Sequence, residues 1–344
     1  MKKFACLLLA MVLFITLFSG CNSQSNEDKN GVQNDGDNKS DDNIDNNAQQ
    51  KEDTNPIKES PVEDFEYQVN GGNVIITKYK GVDTLVGIPE KIEQKDVVQI
   101  EEAAFKGNTN IVSVSFPNTI VSIGHQAFAQ CASLTTVKLS DTLETIHGEA
   151  FRDCTNLSTI TLPQTLTAIY ANAFVNCASL KEIKIPKGVL EWGTQTFAYS
   201  GLERVEFEQG LVSIGSYAFL KTKIKQITIP SSVKTIDVAA FSHCLELESV
   251  VLNEGVETIS PSAFASNTRL IEFVVPASVK DIHELVFDKC TALEAVRFEG
   301  NAPDKYIYEG SSYKAEGVNY TIYYHSAAQG FTSPVWNGYK TEIW

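Results

Sequence analysis

Apolar residues recur along most of this chain with a period too long for a single helix or strand. Phe105, Phe128, Phe151, Phe174, Phe197, Phe219, Phe241, Phe264 and Phe287 stand 23, 23, 23, 23, 22, 22, 23 and 23 residues apart. Six residues after the Phe come Ile111, Leu134, Leu157, Leu180, Leu247, Leu270 and Leu293; Leu202 and Ile224 arrive one residue early, which accounts for both shorter steps. An alternating pair follows, for example Val137 and Leu139, Ile183 and Ile185, or Val296 and Phe298. Five residues before each Phe stands Ile100, Ile123, Ile146, Ile169, Trp192, Ile214, Ile236, Ile259 or Ile282. Self-similarity at such a period marks repeats that cannot bury their apolar face alone and so must stack on their neighbours.

The Val-x-Leu alternation predicts a short strand buried on one face. Pro117, Pro163, Pro186, Pro230 and Pro276 close five of these strands, at positions where the ladder no longer needs an N–H. The segment around Ala-Phe is too short for a long helix and predicts a turn of helix or a brief strand. The expected fold is an α/β to mostly β solenoid with one short parallel strand per 22–23-residue repeat. At about 4.8 Å per stacked strand, nine coils would make a body of roughly 43 Å.

The cysteines keep the same frame. Cys131, Cys154, Cys177, Cys244 and Cys290 lie three residues after their Phe, and Asn108, Ser200, Thr222 and Asn267 take that slot elsewhere. The interchange predicts a small inward side chain bonded to turn backbone. Stacked thiols would be close enough for disulfides, but the tolerance of non-thiols and the odd count favour free, buried, structural thiols.

Outside the repeats the composition changes. Lys2 and Lys3 precede an uncharged apolar run from Phe4 to Phe18, shorter than the roughly 20 residues of a bilayer span but matching a secretory signal peptide. Leu17-Phe18-Ser19-Gly20-Cys21 resembles the lipobox of bacterial lipoproteins, with Phe18 where Leu is usual. That resemblance implies lipidation at Cys21, removal of residues 1–20 and an extracytoplasmic chain held on the membrane. From Asn22 to about Asp64 the sequence is rich in Asn, Asp, Gln, Ser, Glu and Lys and nearly free of apolar residues, which predicts a disordered tether spanning roughly 35–40 Å. The formal charge is −15, so nucleic acid is not an expected partner, because binding it needs a basic face.

The run Leu157-Ser158-Thr159-Ile160-Thr161-Leu162-Pro163, then Leu166-Thr167-Ala168-Ile169, then Ala173-Phe174-Val175-Asn176-Cys177 resembles the BspA-type leucine-rich repeat. The resemblance covers roughly Phe65 to Trp344. It implies a leucine-rich-repeat solenoid with an N-terminal cap over 65–96, nine repeats over 97–300 and an aromatic-rich C-terminal cap over 301–344. It further implies surface proteins of adhesion and recognition, with no catalytic residues and no cofactor.

Candidate binding residues follow from the strand positions between buried ones, which point outward. They include Thr159 and Thr161 near the middle, Arg204 and Glu206, and Val251 and Val274 with Ile271 beside them. Glu182 beside Arg204 and Lys184 beside Glu206 read first as cross-strand pairs that fix register. Val251, Ile271 and Val274 form either an exposed apolar strip, which would mark a partner site, or a patch covered by the C-terminal cap. The tail aromatics Tyr306, Tyr308, Tyr313, Tyr320, Tyr323, Tyr324, Phe331, Trp336, Tyr339 and Trp344 suit the sealing of an open solenoid end better than sugar stacking.

Catalytic patterns are weak. His283-Glu284 begins a zinc-protease-like motif, but Phe287 occupies the second His position, and His125, His147, His243 and His325 share no metal-ligand spacing. The sequence therefore predicts a non-catalytic surface module for an extracellular protein or glycan. A structural envelope component is the alternative, and an extracellular hydrolase a weaker one.

Overall fold

The computed structural model describes residues 57–306 and 319–344. The signal segment, Cys21, most of the linker, Tyr308 and Tyr313 lie outside the described residues. The described chain is a mostly β solenoid: each repeat makes one coil, and its helical content is one 3-10 turn at Val62–Asp64.

Each coil contributes two parallel strands, one more than the apolar alternation predicts. The first set comprises Ser113–Ser115, Thr136–Lys138, Thr159–Ile160, Glu182–Ile185, Arg204–Phe207, Gln226–Ile229, Ser249–Leu252, Glu272–Val275 and Ala295–Phe298. Pairing runs between identical repeat positions, as in Ile183↔Val205 and Phe273↔Val296. One slip would turn the buried set to solvent, so the apolar pattern itself holds the register. The second set is only two residues long per coil, as in Ser122–Ile123, Thr145–Ile146 and Ala168–Ile169. Its inward residue is the one five before each Phe, Ile in every coil but that of Trp192. Two residues are too few to show an alternation, which hides this strand in the sequence.

The Ala-Phe segment is neither helix nor strand. Residues two before and two after each Phe have positive φ, for example Gln126 (54°) and Gln130 (63°) around Phe128, and Glu149 (57°) and Asp153 (59°) around Phe151. This geometry sends alternate N–H groups in different directions. Gln126, Phe128 and Gln130 donate to Gly148, Ala150 and Arg152 of the next coil at 3.0, 2.8 and 2.7 Å; Ala127, Ala129 and Cys131 donate back within their own turn. The turn thus forms a third hydrogen-bonded seam between coils and satisfies backbone groups that burial would otherwise strand.

All nine anchor Phe side chains are buried. From Phe105 to Phe264 successive rings stack with centroids 4.5–5.6 Å apart and planes within 14°. Tyr79 extends this column at the N-terminal end, 5.2 Å from Phe105. It lies on a hairpin, Phe65–Asn70 with Asn73–Tyr79, whose second strand pairs in parallel with Lys95–Ile100. At the other end Thr321–Tyr324 and Tyr339–Ile343 continue the first ladder past Ala295–Phe298. Buried Tyr320 packs on Phe287, and Phe331 and Trp336 pack on Phe298. These aromatics close the apolar end of the last repeat.

The long ladder is interrupted between Thr159–Ile160 and Glu182–Ile185, between Arg204–Phe207 and Gln226–Ile229, and between Ser249–Leu252 and Glu272–Val275, and the short ladder is interrupted once. The short ladder stops at Glu191–Trp192 and restarts at Ser213–Ile214, next to the two 22-residue steps. Trp192 fills the slot that Ile takes in the other coils, and a Cβ on Gly215 would stand 2.6 Å from the Trp192 Cβ, so no larger residue fits at 215.

Candidate functional site

The first strand ladder presents one side to the core and the other to solvent. Along its middle, Thr159 and Thr161 are exposed, as are Glu182, Lys184, Arg204 and Glu206. The charged residues of this stretch engage one another. Arg204 lies 3.8 Å from Glu182, Lys184 lies 3.1 Å from both Glu206 and Glu208, and Lys181 lies 3.1 Å from Glu203. The bonds to Glu206 and then Glu208 raise the Lys184 pKa, and Lys181 lowers that of Glu203. Such exposed pairs contribute little stability each, but they occupy Arg204 and Glu206 with register partners. These two residues are not brought together with Val251, Ile271 and Val274.

The C-terminal end of the same face differs. Val251 is 45% and Ile271 56% exposed, and Val274 is half-buried. The terminal strands extend the ladder beyond them without covering them. Ala295, which the strand pattern turns outward, is buried, a lone methyl overtopped by its register neighbours Glu272 and Thr321. Val274 pairs with Arg297, Arg297 with Tyr323 and Tyr323 with Glu342. Pairing therefore aligns Val274, Arg297 and Tyr323 in one row of outward positions, and Val251 holds the equivalent position one repeat earlier, on Ser249–Leu252, which packs beside Glu272–Val275 across a break in the ladder. Arg297 bonds Glu272, and its guanidinium lies over the rings of Tyr323 (4.5 Å) and Trp344 (5.1 Å). Trp344 remains 45% exposed.

This places aliphatic, aromatic and arginine side chains in one continuous strip, the composition enriched where proteins bind one another. The tail aromatics thus have two destinations: Tyr320, Tyr324, Trp336 and Tyr339 are buried, while Tyr323 and Trp344 join the outer face. Sequence reasoning did not join Tyr323 and Trp344 to Val251 and Val274. Arg297 and Tyr323 are 26 residues apart in sequence, off the repeat period, and only the pairing of strands aligns them.

Acidic residues flank the strip. Glu248 faces Arg269 at 3.5 Å, Glu272 bonds Arg297, and exposed Glu294 has no side-chain partner among the described residues. Around the corner, a cleft of about 610 Å³ lies between the last coil and the tail, lined by Lys280, Glu299, Asn301, Asp304 and His325 among others. Lys280 is already paired with Glu257 at 2.8 Å. Among the described residues no three His, Cys, Asp or Glu side chains converge as a metal site.

The cysteine slot is buried and structural. The five thiols are free, and each donates to the carbonyl of the Phe one coil back: Cys131 to Phe105 (3.2 Å), Cys154 to Phe128 (3.1 Å), Cys177 to Phe151 (3.2 Å), Cys244 to Phe219 (3.2 Å) and Cys290 to Phe264 (3.1 Å). The Asn267 amide makes the same bond to Phe241 at 3.1 Å. Burial pushes the Cys244 thiol up to about 11 and those of Cys131 and Cys290 to about 12. Protonated and enclosed thiols of this kind are neither nucleophiles nor metal ligands.

A β-solenoid of registered parallel strands with one coil per 22–23 residues is the architecture of a leucine-rich-repeat protein. The sequence matches the BspA type Leucine rich repeat region in six copies, over residues 88–203 and 191–313. The chain belongs to that family. Among solved structures it is similar to a leucine rich cell surface protein from Faecalibacterium prausnitzii A2-165, at 21% identity and a TM-score of 0.53, covering 82% of this chain and 97% of that one. It is also similar to the T. pallidum Leucine Rich Repeat protein, at 28% identity and a TM-score of 0.49, covering 62% and 91%. The pneumococcal vaccine antigen PcpA aligns at 18% identity and a TM-score of 0.41, covering 77% and 92%. None of the curated proteins matches the sequence.

Proposed function

We propose that this protein is a non-catalytic recognition module of the bacterial surface, lipid-anchored at Cys21 and held off the membrane by its linker. Its ligand is an extracellular protein or glycan, and the strip from Val251 to Trp344 is the contact surface. The observation that carries this reading is the exposure of Val251 and Ile271 beside the Arg297–Tyr323–Trp344 stack. A contiguous apolar patch left open at the surface marks a partner site. Membership of the BspA-type family and the signal-peptide and lipobox pattern at residues 2–21 support the location.

The test is a binding panel of extracellular matrix proteins, serum proteins and cell-wall glycans against the purified protein and its Val251→Asp/Ile271→Asp variant. Binding that the variant loses is the expected result. A ligand held equally by both would move the contact elsewhere on the protein, whereas no binding across the panel would favour the structural envelope reading, in which the mid-face ion pairs at Lys184 and Arg204 serve register.

A further inference from the structure

Taking that strip as the contact surface, we infer that its ligand is a protein segment in which apolar side chains are flanked by Lys or Arg. Three features of the surface select this class.

The first is the aliphatic end. Val251 and Ile271 offer branched hydrocarbon with no hydrogen-bonding group, and Val274 adds to it. Burial of such surface favours apolar side chains at roughly 25 cal/mol per Å², whereas a hydroxyl-rich ligand would leave polar groups unpaired there.

The second is the state of the aromatic rings. A sugar ring stacks on an open aromatic face. Here the Arg297 guanidinium covers Tyr323 and also lies over Trp344, which in addition stacks on His325 at 4.8 Å with planes 22° apart. One face of Tyr323 is thus engaged by Arg297, and Trp344 is engaged by both Arg297 and His325, which leaves less open ring for a pyranose than a free aromatic platform offers.

The third is charge. Glu248, Glu272 and Glu294 line the strip. Of its two arginines, Arg297 is committed to Glu272 and its side chain is only 20% exposed. Arg269 answers Glu248 at 3.5 Å, and Glu294 is unanswered among the described residues. The flank is therefore net acidic on a chain of formal charge −15, a field that draws in basic segments and repels acidic ones. From Val251 to Tyr323 the row crosses three coil steps, about 14 Å, which an extended segment of four to five residues would span.

The experiment uses the full-length protein in detergent and fluorescently labelled six-residue peptides: one alternating Lys and Val, one alternating Glu and Val, and one alternating Lys and Ser. An N-acetylglucosamine hexamer tests the glycan class. The variants are Val251→Ser/Ile271→Ser, which leaves the charge unchanged, and Glu294→Lys. All three substitutions are at exposed positions, and thermal melts confirm that folding is retained. We expect the Lys/Val peptide to bind most tightly and to weaken at least about tenfold in V251S/I271S. E294K should weaken it too, as should raising ionic strength from about 0.05 to about 0.5 M. Equal binding of the Glu/Val peptide would overturn the basic preference while leaving the strip as the contact surface. Equal binding of the Lys/Ser peptide would reduce the effect to general electrostatics and overturn the inference. Sugar binding lost in V251S/I271S would replace the protein segment with a glycan. If V251S/I271S changes none of these, both the inference and the proposed surface fall.

Discussion

At the scale of single residues, this solenoid depends on positions that carry no obvious signal. The thiol three residues after each of five anchor Phe residues links two coils by donating to the earlier Phe carbonyl, and burial holds it protonated. Ser200 occupies the same slot, but its buried hydroxyl has no partner. Cys154→Ala removes an intercoil bond and leaves a small void, at a cost of about 1–2 kcal/mol. Ser200→Ala removes only an unsatisfied group and should be neutral or slightly stabilising; urea melts of the two variants compare them directly. The thiols also set an alkaline limit. Their folded pKa values lie above the ordinary 9.0, so above about pH 9 the unfolded state loses protons that the folded state keeps. Stability is full below that pH and falls as pH climbs towards 11–12. A melting temperature that holds flat from pH 8 to 11 would contradict this.

At the scale of elements, each two-residue strand is too short to persist alone and depends on the ladder above and below it. The interruption between Glu191–Trp192 and Ser213–Ile214 is therefore a place where the short ladder loses that support. Two buried polar atoms without partners, Trp192 Nε1 and Ser200 Oγ, lie in the coils that meet there. Gly193 donates to Ile169 and Asp237 to Ile214, but no corresponding bond joins Gly215 to Trp192 among the described residues. Amide exchange at Ser213 and Gly215 should be faster than at the equivalent Ser122, Gly124, Thr145 and His147, because local opening tracks lost hydrogen bonds. Uniform protection along the short ladder, measured by exchange mass spectrometry, would argue that the interruption has no energetic consequence.

At the scale of the whole molecule, the solenoid supplies a stacked outer face, and in the proposed reading the N-terminal region supplies location. Among the described residues no helix is long and apolar enough to cross a membrane; the proposed attachment rests on the lipobox pattern at Cys21. Cys21→Ala is expected to move the protein from the membrane fraction to the medium or the extracytoplasmic soluble fraction. Unchanged membrane retention on fractionation would overturn the anchor.

The stacked coils, the buried Phe column and the paired faces of Glu182 with Arg204 and Lys184 with Glu206 were legible in the sequence. A repeat of 22–23 residues with its apolar positions in step places each apolar residue over its own counterpart, so the apolar pattern determines register. The second strand set, the positive-φ turns and the Ser200 vacancy in the thiol bonding were not legible. They depend on hydrogen bonds between coils, and Gln, Glu, Asp or Tyr at a left-handed position gives no warning of it. The candidate strip lay between these cases. Val251, Ile271 and Val274 stood out as apolar residues on a polar face, but whether the C-terminal segment would cover them, and that Arg297, Tyr323 and Trp344 would extend them, was decided only by tertiary structure. The reason is physical: past the last regular repeat the spacing breaks, and only strand pairing brings residues that are distant in the chain onto one row.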